Sequence, residues 1–245
     1  MKKLLLSAFV ICLAGTSIAQ ESPLWMRHCA LSPDGTTIAF TYKGDIYTVP
    51  STGGRATQIT TNPAFDTEPV WSPDSKQIAF ASDRMGSLDV FVVSSEGGAP
   101  QRLTTHSGSE KPVAYKDNKH ILFTANIAPS AEDAGFPSGQ FQQVYEIAVT
   151  GGRPAMFSSM PMECISINKE GVMLYQDKKG YEDYWRKHQV SPIARDIWTY
   201  TPGEKPVYQK QTTFGGEDRE PVWSPDGKSF YYLSEEKGSF NIFQR

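Results

Sequence analysis

The stretch WSPDG at residues 223–227 has two near copies, WSPDS at 71–75 and LSPDG at 31–35. Proline at the second turn position pre-sets φ, aspartate can bond its own backbone, and glycine accepts the left-handed conformation that closes a corner. Each corner leads into a short apolar run, and the residues that close these runs are Phe40, Phe80, Phe123, Tyr175 and Tyr232, spaced by 40, 43, 52 and 57 residues. Self-similarity at such a period marks a repeat architecture, in which one supersecondary unit is copied.

In each clear copy a strand enters through EPVWS or its equivalent, turns, and leaves through TIAF, QIAF, HILF or FYYL. A third strand follows as DIYTV, DVFVV, QVYEI, DIWTY or NIF. Glycine pairs at 53–54, 97–98 and 151–152 then suit a second tight turn, before a fourth strand through ATQIT, PQRLT or PAMFS. Four short antiparallel strands rich in aromatic and β-branched residues describe one blade of a β-propeller. Their nearly continuous apolar character fits sheets buried on both faces. The expected fold is all-β: a propeller of four-stranded antiparallel blades, five repeats present at about 25–61, 66–105, 110–159, 163–213 and 218–245. The fifth is incomplete, because the text stops after the third strand at Arg245. Two corners depart from the pattern. Ser75 replaces glycine and should be mildly strained, and Asn118 replaces it in the third repeat with a side chain that tolerates αL.

At the other end, Lys2 and Lys3 precede an apolar run over 4–14, and Ser17 and Ala19 supply the small residues at −3 and −1 of a cleavage site. Residues 1–19 read as a secretory signal peptide, leaving a mature domain over 20–245. The run is too short to span a bilayer, which needs about 20 apolar residues. Cys12 follows Val10 and Ile11, unlike the small residue that precedes a lipoprotein cysteine. Export permits disulfides. Cys29 and Cys164 fall in different repeats, however, and read as two separate buried thiols. A net charge of −3 supplies no basic field for nucleic acid.

Catalytic motifs are not found. GKS at 227–229 lacks the earlier glycine of a phosphate loop, with Val222 in its place. No G-x-S-x-G elbow surrounds a serine. His28, His106, His120 and His188 lack zinc spacing, and His120 takes a strand position held by Gln77 in the second repeat. No catalytic, cofactor-binding or metal-binding residue is therefore assigned, and no cofactor is expected. The acidic texts DTEP at 66–69 and EDREP at 217–221 recur at the entrance of the innermost strand, where residues can line a central channel. Insertions at 126–142 and 176–195 both join strands two and three, which puts them on one rim. The first holds Pro129, Phe136, Pro137 and Phe141; the second holds Tyr181, Tyr184 and Trp185. Long loops with exposed aromatics suggest docking to another domain or subunit.

The repeat pattern resembles that of TolB-type periplasmic proteins and of the N-terminal region of tricorn-like serine peptidases. The less regular texts SPLWMRHCALSPDG, KGDIYTVP, ASDRMGSLDV, MFSSMPME and DKKGYEDYWRKH make the chain similar, over essentially its whole mature length, to the start of secreted tricorn-related peptidases of Gram-negative bacteria. This resemblance implies a six-bladed parent ring, of which five blades are present. It also implies a second propeller, a PDZ domain and a catalytic domain downstream, which would carry the serine, histidine and glutamate of the chemistry. The segment itself would be non-catalytic and guide peptide substrates or products, in a periplasmic or secreted protein with scope for homo-oligomers and no membrane span after processing. A TolB-like protein-binding propeller is the alternative, and the propeller of a dipeptidyl-peptidase-type hydrolase a third.

Overall fold

The structure is a computed structural model that describes residues 25–127, 141–180 and 190–245. The signal segment, His188 and most of the two insertions lie outside the described residues. The first sheet contains β1 (Arg27–Leu31), β2 (Thr37–Tyr42), β3 (Asp45–Pro50) and β4 (Thr57–Gln58). The second contains β5 (Asp66–Trp71), β6 (Gln77–Ser82), β7 (Asp89–Ser94) and β8 (Gln101–Arg102). The third contains β9 (Lys111–Asp117), β10 (His120–Ala125), β11 (Gln143–Ala148) and β12 (Ala155–Ser158). In the fourth are β13 (Met162–Ile167), β14 (Met173–Asp177), β15 (Ile197–Thr201) and β16 (Val207–Lys210). The fifth has three strands, β17 (Asp218–Trp223), β18 (Phe230–Ser234) and β19 (Asn241–Gln244). Strands pair in chain order and antiparallel within every sheet, so each is a meander and the whole is a five-bladed β-propeller. The first strand of each blade packs on the first strand of the next, which places β1, β5, β9, β13 and β17 nearest the axis.

Packing explains why the strands read as continuous apolar text. Ile78 and Phe80 of β6 join Ala39 and Ile46 of the first blade, together with Phe91 and Val93 of β7. The alternate residues Ala79, Val90 and Val92 join Tyr115, Ile121 and Phe123 of the third blade. A sheet with period-two side chains thus feeds two separate cores, one on each face. The same arrangement places Ala114, Leu122 and Val144 against Met162, Met173 and Tyr175, and Leu174 and Ile197 against Phe230.

The repeated corner also links blades. Ser72 Oγ donates to Asp74 at 2.7 Å and accepts from the Gln77 N–H at 2.9 Å, while the Lys76 N–H reaches Asp74 at 3.2 Å. Ser32 with Asp34, and Ser224 with Asp226, repeat these bonds. Hydrogen bonds from the serine hydroxyl and the backbone hold all three aspartates below the ordinary carboxylate range. The tryptophan ahead of the corner reaches backward. Trp71 Nε1–H donates to Ala30 O at 2.9 Å, and Trp223 Nε1–H donates to Val172 O at 3.2 Å, each across to the preceding blade. Ser75 has a φ of 60°, as the missing glycine requires. Asn118 does not take the left-handed conformation. The third corner is a tighter turn in which Asp117 accepts the Lys119 and His120 N–H groups, leaving Asn118 Oδ1 to accept the Asp74 N–H at 3.1 Å.

Trp71 is 7% exposed, so Trp71→Phe keeps most of its buried ring and removes one cross-blade hydrogen bond. The substitution should cost about 1–2 kcal/mol. Urea unfolding of wild type and variant at matched pH measures it.

Candidate functional site at the axial mouth

The connections between strands two and three leave one rim of the propeller, and the innermost strands start at that rim. Near this start, four of them carry a bulge with a left-handed residue that is not glycine: His28, Glu68, Cys164 and Glu220, with φ between 51° and 55°. A bulge of this kind turns a side chain out of the sheet's alternation. In β9 the equivalent place falls on Pro112, whose ring fixes φ near −65°, and no left-handed residue occurs there. Lys111 instead sends its ammonium to Glu68 Oε1 at 2.7 Å, joining the second and third blades.

Blades four and five contribute a denser polar network. Arg195 Nε donates to Glu163 Oε2 at 3.1 Å and its Nη1 donates to Glu217 Oε1 at 2.7 Å. Lys178 Nζ lies 3.0 Å from Glu163 Oε1, and Gln176 Nε2 donates to Glu163 Oε2 at 3.0 Å. Gln176 Oε1 accepts the Glu220 N–H at 2.7 Å. Burial opposes ionisation of Glu163, but the bonds from Gln176 and Lys178 outweigh it and hold its carboxyl below the usual value. Gln176, Lys178 and Arg195 all belong to the second insertion, so the base of that loop is fastened to the mouth. Lys179 adds bonds to Ala194 O and Asp196.

The acidic texts are thereby separated into distinct roles. Asp66 is fully buried and accepts both oxygens' worth of hydrogen bonds from Arg84 at 3.0 Å. Glu68 and Glu217 are ion-paired, while Glu220 is exposed with no ionic partner among the described residues. Among the described residues the histidines have separate local partners: His106 Nδ1 accepts the Gly108 N–H, and His120 pairs with Asp117 at 3.0 Å. Among the described residues no group of three or more His, Cys, Asp or Glu gathers to hold a metal. A cleft of about 350 Å³ between the first two blades is lined by Thr60, Asn62, Arg84 and Pro100, but its one cation is committed to Asp66.

Cys29 and Cys164 are unbonded, as their separate blades require, but both are exposed, correcting the expectation of buried thiols. The reason lies in the bulge, which turns Cys164 toward the axis instead of into a core. Protein still surrounds it there. Desolvation first, then Glu220 and Glu163, pushes its thiol up to about 12. Glu68, two blades away, also acts on it, which shows how closely these side chains converge. The mouth was only partly visible in sequence: its acids recur, but the left-handed positions are spelled His, Glu, Cys and Glu and carry no common residue type. At pH 8 iodoacetamide should modify Cys164 in the folded protein up to roughly a thousandfold more slowly than in the unfolded chain, because so little thiolate is present. Peptide mass spectrometry over a time course reads this directly. Equal rates would mean that the thiol is not held in the mouth.

The fold and sequence can be compared with known proteins. The family model described as the tricorn protease N-terminal β-propeller domain matches residues 23–245. Tricorn protease homolog 1 of Streptomyces coelicolor is 39% identical over 213 residues, covering 86% of this chain and 19% of that protein. An uncharacterised protein of Agrobacterium fabrum, Atu1656, is 34% identical over 218 residues, covering 83% and 68%. Among solved structures, the tricorn protease superposes with a TM-score of 0.71 at 16% identity, covering 91% of this chain and 21% of that one. A putative TolB from Agrobacterium tumefaciens gives 0.68 at 16% identity, covering 91% and 76%. With the repeated corner, the blade meander and a match over nearly all of the described residues in agreement, the chain belongs to the tricorn protease N-terminal β-propeller family.

Proposed function

We propose that this propeller is the non-catalytic N-terminal module of an exported tricorn-like serine peptidase, and that its axial mouth guides peptides to or from a separate catalytic domain. The observation that carries this reading is the mouth itself, where Glu68, Lys111, Glu163, Cys164 and Glu220 bring polar and charged groups to the axis while apolar cores pack the blades together behind them. A passage for extended polypeptide needs that combination: rigid walls, and a wet lining that offers hydrogen bonds without a deep apolar trap. Its length supports a modular role, since the chain spans 19% of the Streptomyces relative. The two ends of the insertion at 176–195 are anchored at the mouth through Gln176, Lys178 and Arg195, and the insertion is the surface we assign to contact with another domain or subunit.

Residues 1–19 would direct export to the periplasm or beyond. Cleavage should follow Ala19 and leave Gln20 as the first residue. Edman sequencing or intact mass of the protein recovered outside the cytoplasm tests this, and a retained 4–14 segment would refute it.

A TolB-like protein-binding propeller is the second reading, favoured by the likeness to the putative TolB of A. tumefaciens. One substitution in the longer protein separates the two. Glu220→Lys reverses an exposed, unpaired mouth charge, and should change turnover of a highly charged polypeptide roughly tenfold in a salt-dependent way. A short uncharged peptide should be cleaved at an unchanged rate. Equal effects on both substrates would remove the guiding role, and a longer protein with no peptidase activity would leave the binding module standing.

A further inference from the structure

Three of the four blade junctions carry a pair of acids at the mouth rim, and their charges are compensated differently. Between the first and second blades the pair is Asp45 and Asp66. Asp66 is held by Arg84, and Asp45 is partly exposed and accepts from Gln58 Nε2 at 3.0 Å and Thr60 Oγ1 at 3.3 Å. Between the fourth and fifth, Asp196 receives both Lys179 and Lys210, the latter at 2.8 Å, opposite Asp218. Between the third and fourth the corresponding positions are Gln143 and Met162, and the problem does not arise.

The junction between the second and third blades is different. Asp89 is 0% exposed and Glu110 is 1% exposed. Among the described residues no donor meets either carboxylate in good hydrogen-bond geometry, the nearest to Glu110 being the Thr104 hydroxyl and the His106 backbone. Arg102 Nη2 lies 2.8 Å from Asp89 Oδ2 and offsets one charge, and among the described residues no cation pairs with Glu110. The other groups facing the pair are neutral or engaged. Thr104 Oγ1 accepts the Val90 N–H at 2.9 Å and has one hydroxyl proton to offer Glu110, His106 presents backbone to Glu110, and Lys111, the next residue along, is committed to Glu68. Two ionised carboxylates can only accept, so neither has a donor for the other, and the pair carries an excess negative charge in a dry interior. One proton supplies both wants.

We propose that Asp89 and Glu110 share a proton at neutral pH, with Glu110 donating to Asp89, and that loss of this proton loosens the junction between the second and third blades beside the Lys111–Glu68 bridge of the mouth. Burial, with the neighbouring charge of Asp89, raises the Glu110 carboxyl to about 7, whereas in the unfolded chain it returns to its ordinary value near 4.5. The folded protein therefore binds more protons than the unfolded chain between these values, and stability falls as pH rises through that window.

Urea unfolding from pH 4.5 to 8.5 tests the proposal in the intact chain. For wild type the unfolding constant should rise with pH, by a factor approaching ten per unit at most between about pH 5 and 7. Glu110→Gln places a permanent donor beside Asp89, so that contribution should vanish and the variant should be the more stable at pH 8. Hydrogen exchange, corrected for its intrinsic pH dependence, should speed up in β9 of wild type above pH 7 and not in β13, where Met162 takes the place of the acid. Should Glu110→Gln fail to fold, the carboxylic-acid band of wild type in the infrared, titrating near pH 7, is the second measurement. Parallel pH profiles for wild type and Glu110→Gln, or a folded protein with no carboxylic-acid band at pH 6, would overturn the proposal.

Discussion

A twisted sheet with two apolar faces must find a neighbour on each side, and the twist forbids a flat stack. Rotation about a common axis satisfies both faces at once, and the alternation along β6 and β7 shows the result. Ile78 and Phe80 serve one junction, and Ala79, with Val90 and Val92, serves the next. This face-to-face packing sets the radial order, because the strand nearest the axis has least room. Ala114 of the inner strand β9 lies in such a core, and Ala39 and Ala79 of the adjoining second strands lie in others.

Crowding at the axis explains the bulges. A regular inner strand would keep alternating between the two cores and offer the axis little but backbone. The extra residue between register points, Thr67 and Val70 against Ala81 and Ala79 for example, tilts one side chain out of both cores. The left-handed backbone at Glu68 or Glu220 costs on the order of 1 kcal/mol or more. It is held by what surrounds it: the Glu220 N–H is engaged by Gln176, and the carboxylate of Glu68 by Lys111. Strain is thus concentrated where the chain presents polar groups, and relaxed sheet lies elsewhere.

Most of the fold was legible because a blade has to repeat its chemistry. Serine, aspartate and glycine recur since each corner satisfies the same backbone groups, and tryptophan recurs where its indole spans to the blade before. Leu31 shows the rule by exception. It takes the tryptophan place in the first blade and is 59% exposed, with no indole to bridge. The αL expectation for Asn118 failed for a local reason: Asp117 already satisfies the two N–H groups that follow, and the turn closes without positive φ. The site was less legible. Propensity has no term for a bulge spelled with His, Glu, Cys and Glu, and reading Cys164 as buried assumed strict alternation. The aspartates opening the third strands, Asp45, Asp89 and Asp196, were in plain view. Their meaning depended on partners 21 or 22 residues downstream, which only the junction brings together.

Those aspartates reveal a division of labour between repetition and variation. Three of the five third strands begin by tying the residue after their aspartate to a threonine of the closing segment, Ile46 N–H to Thr60, Val90 N–H to Thr104 and Ile197 N–H to Thr212. That bond is architectural and recurs unchanged. The cations around the acids are used differently: Arg84 and Lys179 both come from connections between strands two and three, but Arg84 pairs with an acid of a first strand and Lys179 with one of a third, while Arg102 comes from a fourth strand. Identical acids therefore meet different counter-charges, and each junction acquires its own electrostatic character while the backbone stays the same. Blade packing fixes where the mouth is and holds the junction acids within it, whereas exposed rim charges such as Glu220 are free of that packing and are the part of the molecule that sequence change can retune without dismantling the ring.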